Sequence, residues 1–96
     1  MNVFDFKSLI NIGDAIASDL NKAGVKDLKE MTKLGTEEIF FRHFQAQGGW
    51  KKGMCSCWLY VIEGAITNTK WNEIPSKRKK ELCEYVKKVR ESFSPK

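Results

Sequence analysis

At 96 residues the chain has room for one small domain, because a chain of this length buries only about 60 to 65% of its unfolded surface and cannot build a second core. With 42% hydrophobic and 30% charged residues and two prolines it is not a disordered or low-complexity chain. Its longest uncharged run, residues 53–62, is shorter than the roughly 20 residues of a membrane span. The net charge of +5 is uneven: residues 1–48 carry six Lys/Arg against seven Asp/Glu and residues 49–96 carry eleven against five, so a phosphate-binding surface is expected in the second half if anywhere.

The start, "MNVFDFKSLI", has neither a basic leader nor a long apolar stretch, and three cysteines are too few to staple a secreted mini-domain. A cytoplasmic protein is expected. Apolar residues then recur at intervals of three and four, which predicts an all-α fold of five to six helices in a single domain over 1–96. The first helix covers about Phe4 to Leu9 and ends in the turn Asn11-Ile12-Gly13, where glycine tolerates positive φ. The second begins at Asp14, buries Ile16 and Leu20, and stops at Gly24.

Asp27 and Glu30 form a capping-box pattern that opens a third helix, Leu28 to Lys33, stopped by Gly35. Thr36 is expected to cap a fourth, with Glu37 and Glu38 in its positive first turn and Ile39, Phe40 and Phe44 as its buried stripe. Met54 to Ile66 is apolar on every side apart from Glu63, which predicts a central helix wrapped by the others. Pro75 sits in the first turn of a last helix whose inner stripe is Leu82, Val86, Val89 and Phe93.

The pattern Leu9, Ile12, Gly13, Ala17, Leu20, Gly24, Val25 resembles the helix-hairpin-helix and SAM-like group of small helical domains. In DNA-binding members the turn has a glycine on both sides of the apolar residue, so that its amides approach a phosphate. Here Asn11 replaces the first glycine and Asp14 puts a carboxylate where the anion would sit, so packing is the expected role of Gly13 and Gly24. With the second half included, "NIG", "GVKDL", "LGTEE", "LYVIEGAI" and "WNEIPSKRKK" occur in the order seen in the C-terminal domain of the TfoX/Sxy competence regulators, which the chain resembles from about Leu9 to Tyr85. The resemblance implies an all-α, helix-hairpin-helix-like domain of proteins that regulate competence genes, and it carries no catalytic residues. Two-domain members place an α+β domain before this unit. A stand-alone chain starting at Met1 is expected here.

Glu63 is a lone carboxylate in an apolar helix and needs a partner, because an unpaired buried charge is costly; Arg42, His43, Arg78, backbone amides and the Trp71 indole are the candidates. Gly64 beside it is expected to admit a close neighbour. Cys55 and Cys57 are two apart, roughly 200° around a helix, and cannot share one ion, so neither a metal nor a cofactor is expected and the cysteines read as buried small hydrophobes. No nucleophile, acid–base pair or phosphate loop stands out, so an enzyme is not expected. The basic residues Lys51, Lys52, Lys70, Lys77, Arg78, Lys79, Lys80 and Lys87 are the candidate nucleic-acid contacts, although Lys77 with Glu81 and Lys80 with Glu84 have the spacing of ion pairs on a solvated face. Gly35, Trp71 and Pro75 join Gly13, Gly24, Glu63 and Gly64 as structural positions. The leading expectation is a regulatory or protein-interaction module, with Trp50, Trp58 and Trp71 shared between core and contact surface; a sequence-nonspecific DNA-binding module is the alternative. Nothing in the pattern forces an oligomer, and a monomer or weak homodimer is expected.

Overall fold

Residues 5–49 and 56–93 are described by the computed structural model, and over them the chain forms four α-helices and two 3-10 turns, with no strand. A 3-10 turn, Phe6–Ser8, replaces the longer first helix read from the pattern. It is followed by α1 (Asp14–Lys22), α2 (Leu28–Ala46), α3 (Cys57–Thr67), a second 3-10 turn (Trp71–Glu73) and α4 (Ser76–Phe93). Trp50, Lys51, Lys52, Met54 and Cys55, and the side chain of Phe93, lie outside the described residues.

Local chemistry accounts for most boundaries. Gly24 at φ +82 lets the Val25 amide turn back to the Leu20 carbonyl at 3.0 Å, which satisfies a terminal acceptor of α1. Asp27 caps α2, its Oδ1 accepting from the Glu30 amide at 2.9 Å. The third and fourth helices read from the sequence form one helical run that is broken inside α2 at Gly35, where φ is 83° and ψ 161°. An L side chain rarely adopts that conformation, so the glycine separates two helical segments, as its place in the pattern predicts, and sets a kink between them. Pro75 stands one residue ahead of α4, exposed, and its carbonyl accepts from the Lys79 amide at 3.0 Å.

Two apolar clusters hold these elements together, and α3 feeds both. Ile62 and Ala65 face Phe6, Ile12, Leu20, Val25, Met31 and Ile39, whereas Leu59 faces Phe40, Phe44, Leu82, Val86 and Val89. Trp58 packs against both clusters. This dual duty explains why α3 lacks an ordinary polar face, yet the helix is not wrapped on all sides: Cys57 and Thr67 are exposed and Tyr60, Val61 and Glu63 half-buried. Cys57 and Cys83 are both exposed, which corrects their reading as buried hydrophobes.

Candidate functional site

The turn before α1 is built around Asn11. Its φ of 72° is the positive value in the turn, while Gly13 has φ −105° and open space around it. Asparagine tolerates this region better than most residues, and its side chain does what a glycine could not. Nδ2 donates to the Thr69 carbonyl at 2.9 Å and Oδ1 accepts from the Trp71 amide at 3.2 Å, so both ends of one amide clamp the loop between α3 and α4. Gly64 lies beneath this clamp. A Cβ there would overlap the Thr69 carbonyl oxygen and the Asn11 amide nitrogen, so the glycine is what lets the two strands of chain meet over α3.

A second constellation joins α2, α3 and α4. Arg78 takes Glu37 in a two-pronged pair, Nη2 to Oε1 at 2.6 Å and Nη1 to Oε2 at 2.9 Å, and its Nη2 is also 3.1 Å from Glu63 Oε1. Thr36 Oγ1 donates to the same Glu63 oxygen at 2.7 Å. Arg78 is thus the partner that Glu63 required, while Arg42 pairs with Glu38 at 3.1 Å and Trp71 is exposed. The buried Thr36 hydroxyl serves Glu63 instead of capping a helix. The planar guanidinium suits this forked geometry, and its proximity holds the Glu37 carboxyl below the usual range.

The candidate nucleic-acid residues separate accordingly. Arg78 faces inward, and it rather than Lys77 pairs with Glu81, at 3.3 Å. The Lys79 ammonium lies 5.7 Å from the centroid of the Tyr60 ring. Lys70, Lys77, Lys80 and Lys87 are exposed, but Glu81 and Glu84 are exposed on α4 as well, so that face alternates in sign.

Two features stand apart from both clamps. Trp71 is 47% exposed, the large hydrophobic side chain most open to solvent among the described residues. Near the C-terminal ends of α1 and α2, His43 is 8% exposed and stacks on Trp58 with ring centroids 4.4 Å apart and planes 7° from parallel. The Trp58 indole donates to Asp19 Oδ2 at 3.2 Å. Burial pushes the His43 imidazole below its ordinary pKa, with Asp19 acting in the opposite sense. Asp19, Lys22, His43, Ala46 and Gln47 line a depression of about 360 Å³ there. No helix among the described residues is long and apolar enough to cross a membrane.

The model of the TfoX C-terminal domain matches residues 4–86. The chain belongs to the TfoX C-terminal domain family. Two crystal structures of proteins from Listeria monocytogenes are similar to it. One, an uncharacterised protein in a triclinic form, is 32% identical over 92% of this chain and 91% of its own, with a TM-score of 0.72. The other, a protein of unknown function in a tetragonal form, is 30% identical over 86% of this chain and 98% of its own, with a TM-score of 0.76. No functionally curated protein matches the chain.

In this TfoX C-terminal domain the separate sequence pieces converge in space. "NIG" and "EGAI" meet at the Asn11 clamp, and "LGTEE", "EGAI" and "KRKK" meet at Arg78. Sequence reasoning did not identify Thr36, Glu37, Asp19 or His43 in these roles. Their partners lie 27, 41 and 39 positions away for Thr36–Glu63, Glu37–Arg78 and Asp19–Trp58, beyond the reach of any local pattern.

Proposed function

We propose that this TfoX C-terminal domain is a non-catalytic regulatory module that acts by binding a protein partner, with Trp71 at the contact. The observation that carries the reading is the exposure of Trp71 on a turn whose backbone is held by Asn11. A large aromatic ring on a preorganised turn is a low-entropy anchor for a partner's pocket. The polar groups of the shared motifs are meanwhile engaged inside the fold: Asn11 on Thr69 and Trp71, and Glu63 and Arg78 on each other. Competence regulation is the setting that the family resemblance supports, and a cytoplasmic location and a monomer or weak homodimer complete the proposal. The test is capture from the native cytosol with wild type and with Trp71→Ala, both checked for folding. A partner retained by wild type and lost by the variant supports the reading, and equal capture by both removes Trp71 from the contact.

A weak, sequence-nonspecific DNA contact through α4 is the second reading, favoured by the exposure of Lys77, Lys80 and Lys87. The glutamates on the same face lower its local potential, and Arg78 is already engaged. The hairpin turn is a poorer place for a phosphate, since Asp14 opens α1 and pairs with Lys7 at 3.0 Å.

A further inference from the structure

The depression between α1 and α2 has features of a ligand site that none of the clamps explains. Asp19 and Lys22 belong to the last turn of α1, and His43 and Ala46 to the last turn of α2, so two helix C-termini converge on it. Each contributes the partial negative charge of its outward carbonyls, and Asp19 adds a full one. His43, more than nine-tenths buried, lines the depression, and its ring nitrogens make no hydrogen bond to the described residues. No fully enclosed side-chain nitrogen or oxygen lacks a partner among the described residues, so the imidazole nitrogens are reached from outside. A neutral imidazole offers one acceptor and one donor. Its ring is fixed by the stack on Trp58, which is itself fixed by Asp19.

We propose that this depression binds an organic cation, an ammonium or guanidinium group, between the Asp19 carboxylate and the acceptor nitrogen of His43. The two helix ends disfavour an anion, and exposed Lys22 is the cation among the described lining residues, on a flexible chain free to move aside. Its volume falls in the range of about 300 to 1,000 Å³ typical of small-molecule clefts. The same chemistry is presented by a free amine and by the arginine or lysine of a partner chain. The site is separate from Trp71 and does not depend on the reading given to it.

The test is a titration of the whole chain with N-acetyl-arginine amide, following the Trp58 indole N–H signal by nuclear magnetic resonance, with uncharged N-acetyl-glutamine amide as control. A saturable shift with the first and none with the second is expected. Asp19→Asn keeps an oxygen for the Trp58 indole but removes the charge, and should weaken binding about tenfold or more. His43→Phe keeps a ring on Trp58 and removes the acceptor, and should weaken it as well. Affinity should also fall as pH is lowered through the His43 titration, because a protonated ring repels the probe; Asp19 and Lys22 are the charged groups facing it from α1. Binding about tenfold tighter to an arginine within a short peptide than to the small amide would identify a partner chain as the source, and equal affinity a free cation. An equal shift with the neutral control, no saturable shift, or unchanged affinity in folded Asp19→Asn would overturn the proposal.

Discussion

The side-chain amide of Asn11 reaches across 58 positions of sequence to the Thr69 carbonyl, 2.9 Å away, while its oxygen accepts from the Trp71 backbone at 3.2 Å. One residue therefore fixes the hairpin turn and the loop that carries Trp71. Asn11→Gly retains the backbone freedom that φ 72° demands but loses both hydrogen bonds, whereas Asn11→Ala loses both bonds and the conformation. Urea denaturation should find Asn11→Gly less stable by about 1 kcal/mol and Asn11→Ala by about 2 kcal/mol. Equal stability of Asn11→Ala and wild type would remove the clamp.

Gly64 and Gly13 should respond to the same substitution to very different degrees. Gly64→Ala forces a methyl group into the Asn11–Thr69 contact and is expected to lower stability by about 1 to 3 kcal/mol, with less than additive loss when combined with Asn11→Gly. Gly13→Ala meets open space at a φ open to any residue and loses only a modest helix-start preference, less than about 1 kcal/mol. Thermal unfolding of the two variants side by side measures the contrast.

Arg78 should not be replaceable by lysine. The ammonium cannot reproduce the fork on Glu37 while facing Glu63, so Arg78→Lys should lower stability, and Arg78→Ala more so, by roughly 1 to 3 kcal/mol in this partly solvated site. Glu37 titrates below its ordinary 4.5 in the folded chain because Arg78 stabilises its charge. Its contribution is therefore present above that value and lost as pH falls through the lowered one. Denaturation midpoints between neutral pH and pH 3 should fall less steeply in Glu37→Gln than in wild type.

His43 carries a second acid dependence. Burial holds its folded pKa below the ordinary 6.5, so folding favours the neutral ring; stability is full above that value and declines as pH drops through the depressed one. His43→Phe, which keeps an aromatic ring against Trp58, should flatten the stability profile between pH 7 and pH 5. An unchanged profile would show that another group titrates there.

Much of the fold was legible from local pattern. Leu82, Val86 and Val89 are buried as their spacing required, Asp27 caps α2, and Gly24 ends α1 in the left-handed region. What resisted reading was long-range pairing. Asn11 looked like a lost phosphate-binding glycine because the partners that explain it are more than fifty residues away. Thr36 looked like a cap because local rules make it one, but Glu63 claims its hydroxyl. Within "KRKK" nothing in the spacing distinguishes the arginine that turns inward from the lysines that do not. Gly35 breaks the helical run where the sequence places a stop, but nothing local to it shows how closely the next segment follows on. The stacked pair His43–Trp58 joins two consecutive helices, and its face-to-face geometry depends on how α2 and α3 cross, which neither pattern nor composition announces.

Titration of this TfoX C-terminal domain with a short DNA duplex at low and at physiological salt separates a protein contact from a nucleic-acid contact. No saturable binding is expected at physiological salt. Weak binding at low salt should vanish as salt rises, since phosphate contacts lose affinity steeply with ionic strength. Saturable binding at both salt concentrations, abolished by exchanging Lys77, Lys80 and Lys87 for glutamate in a folded variant, would contradict the protein contact.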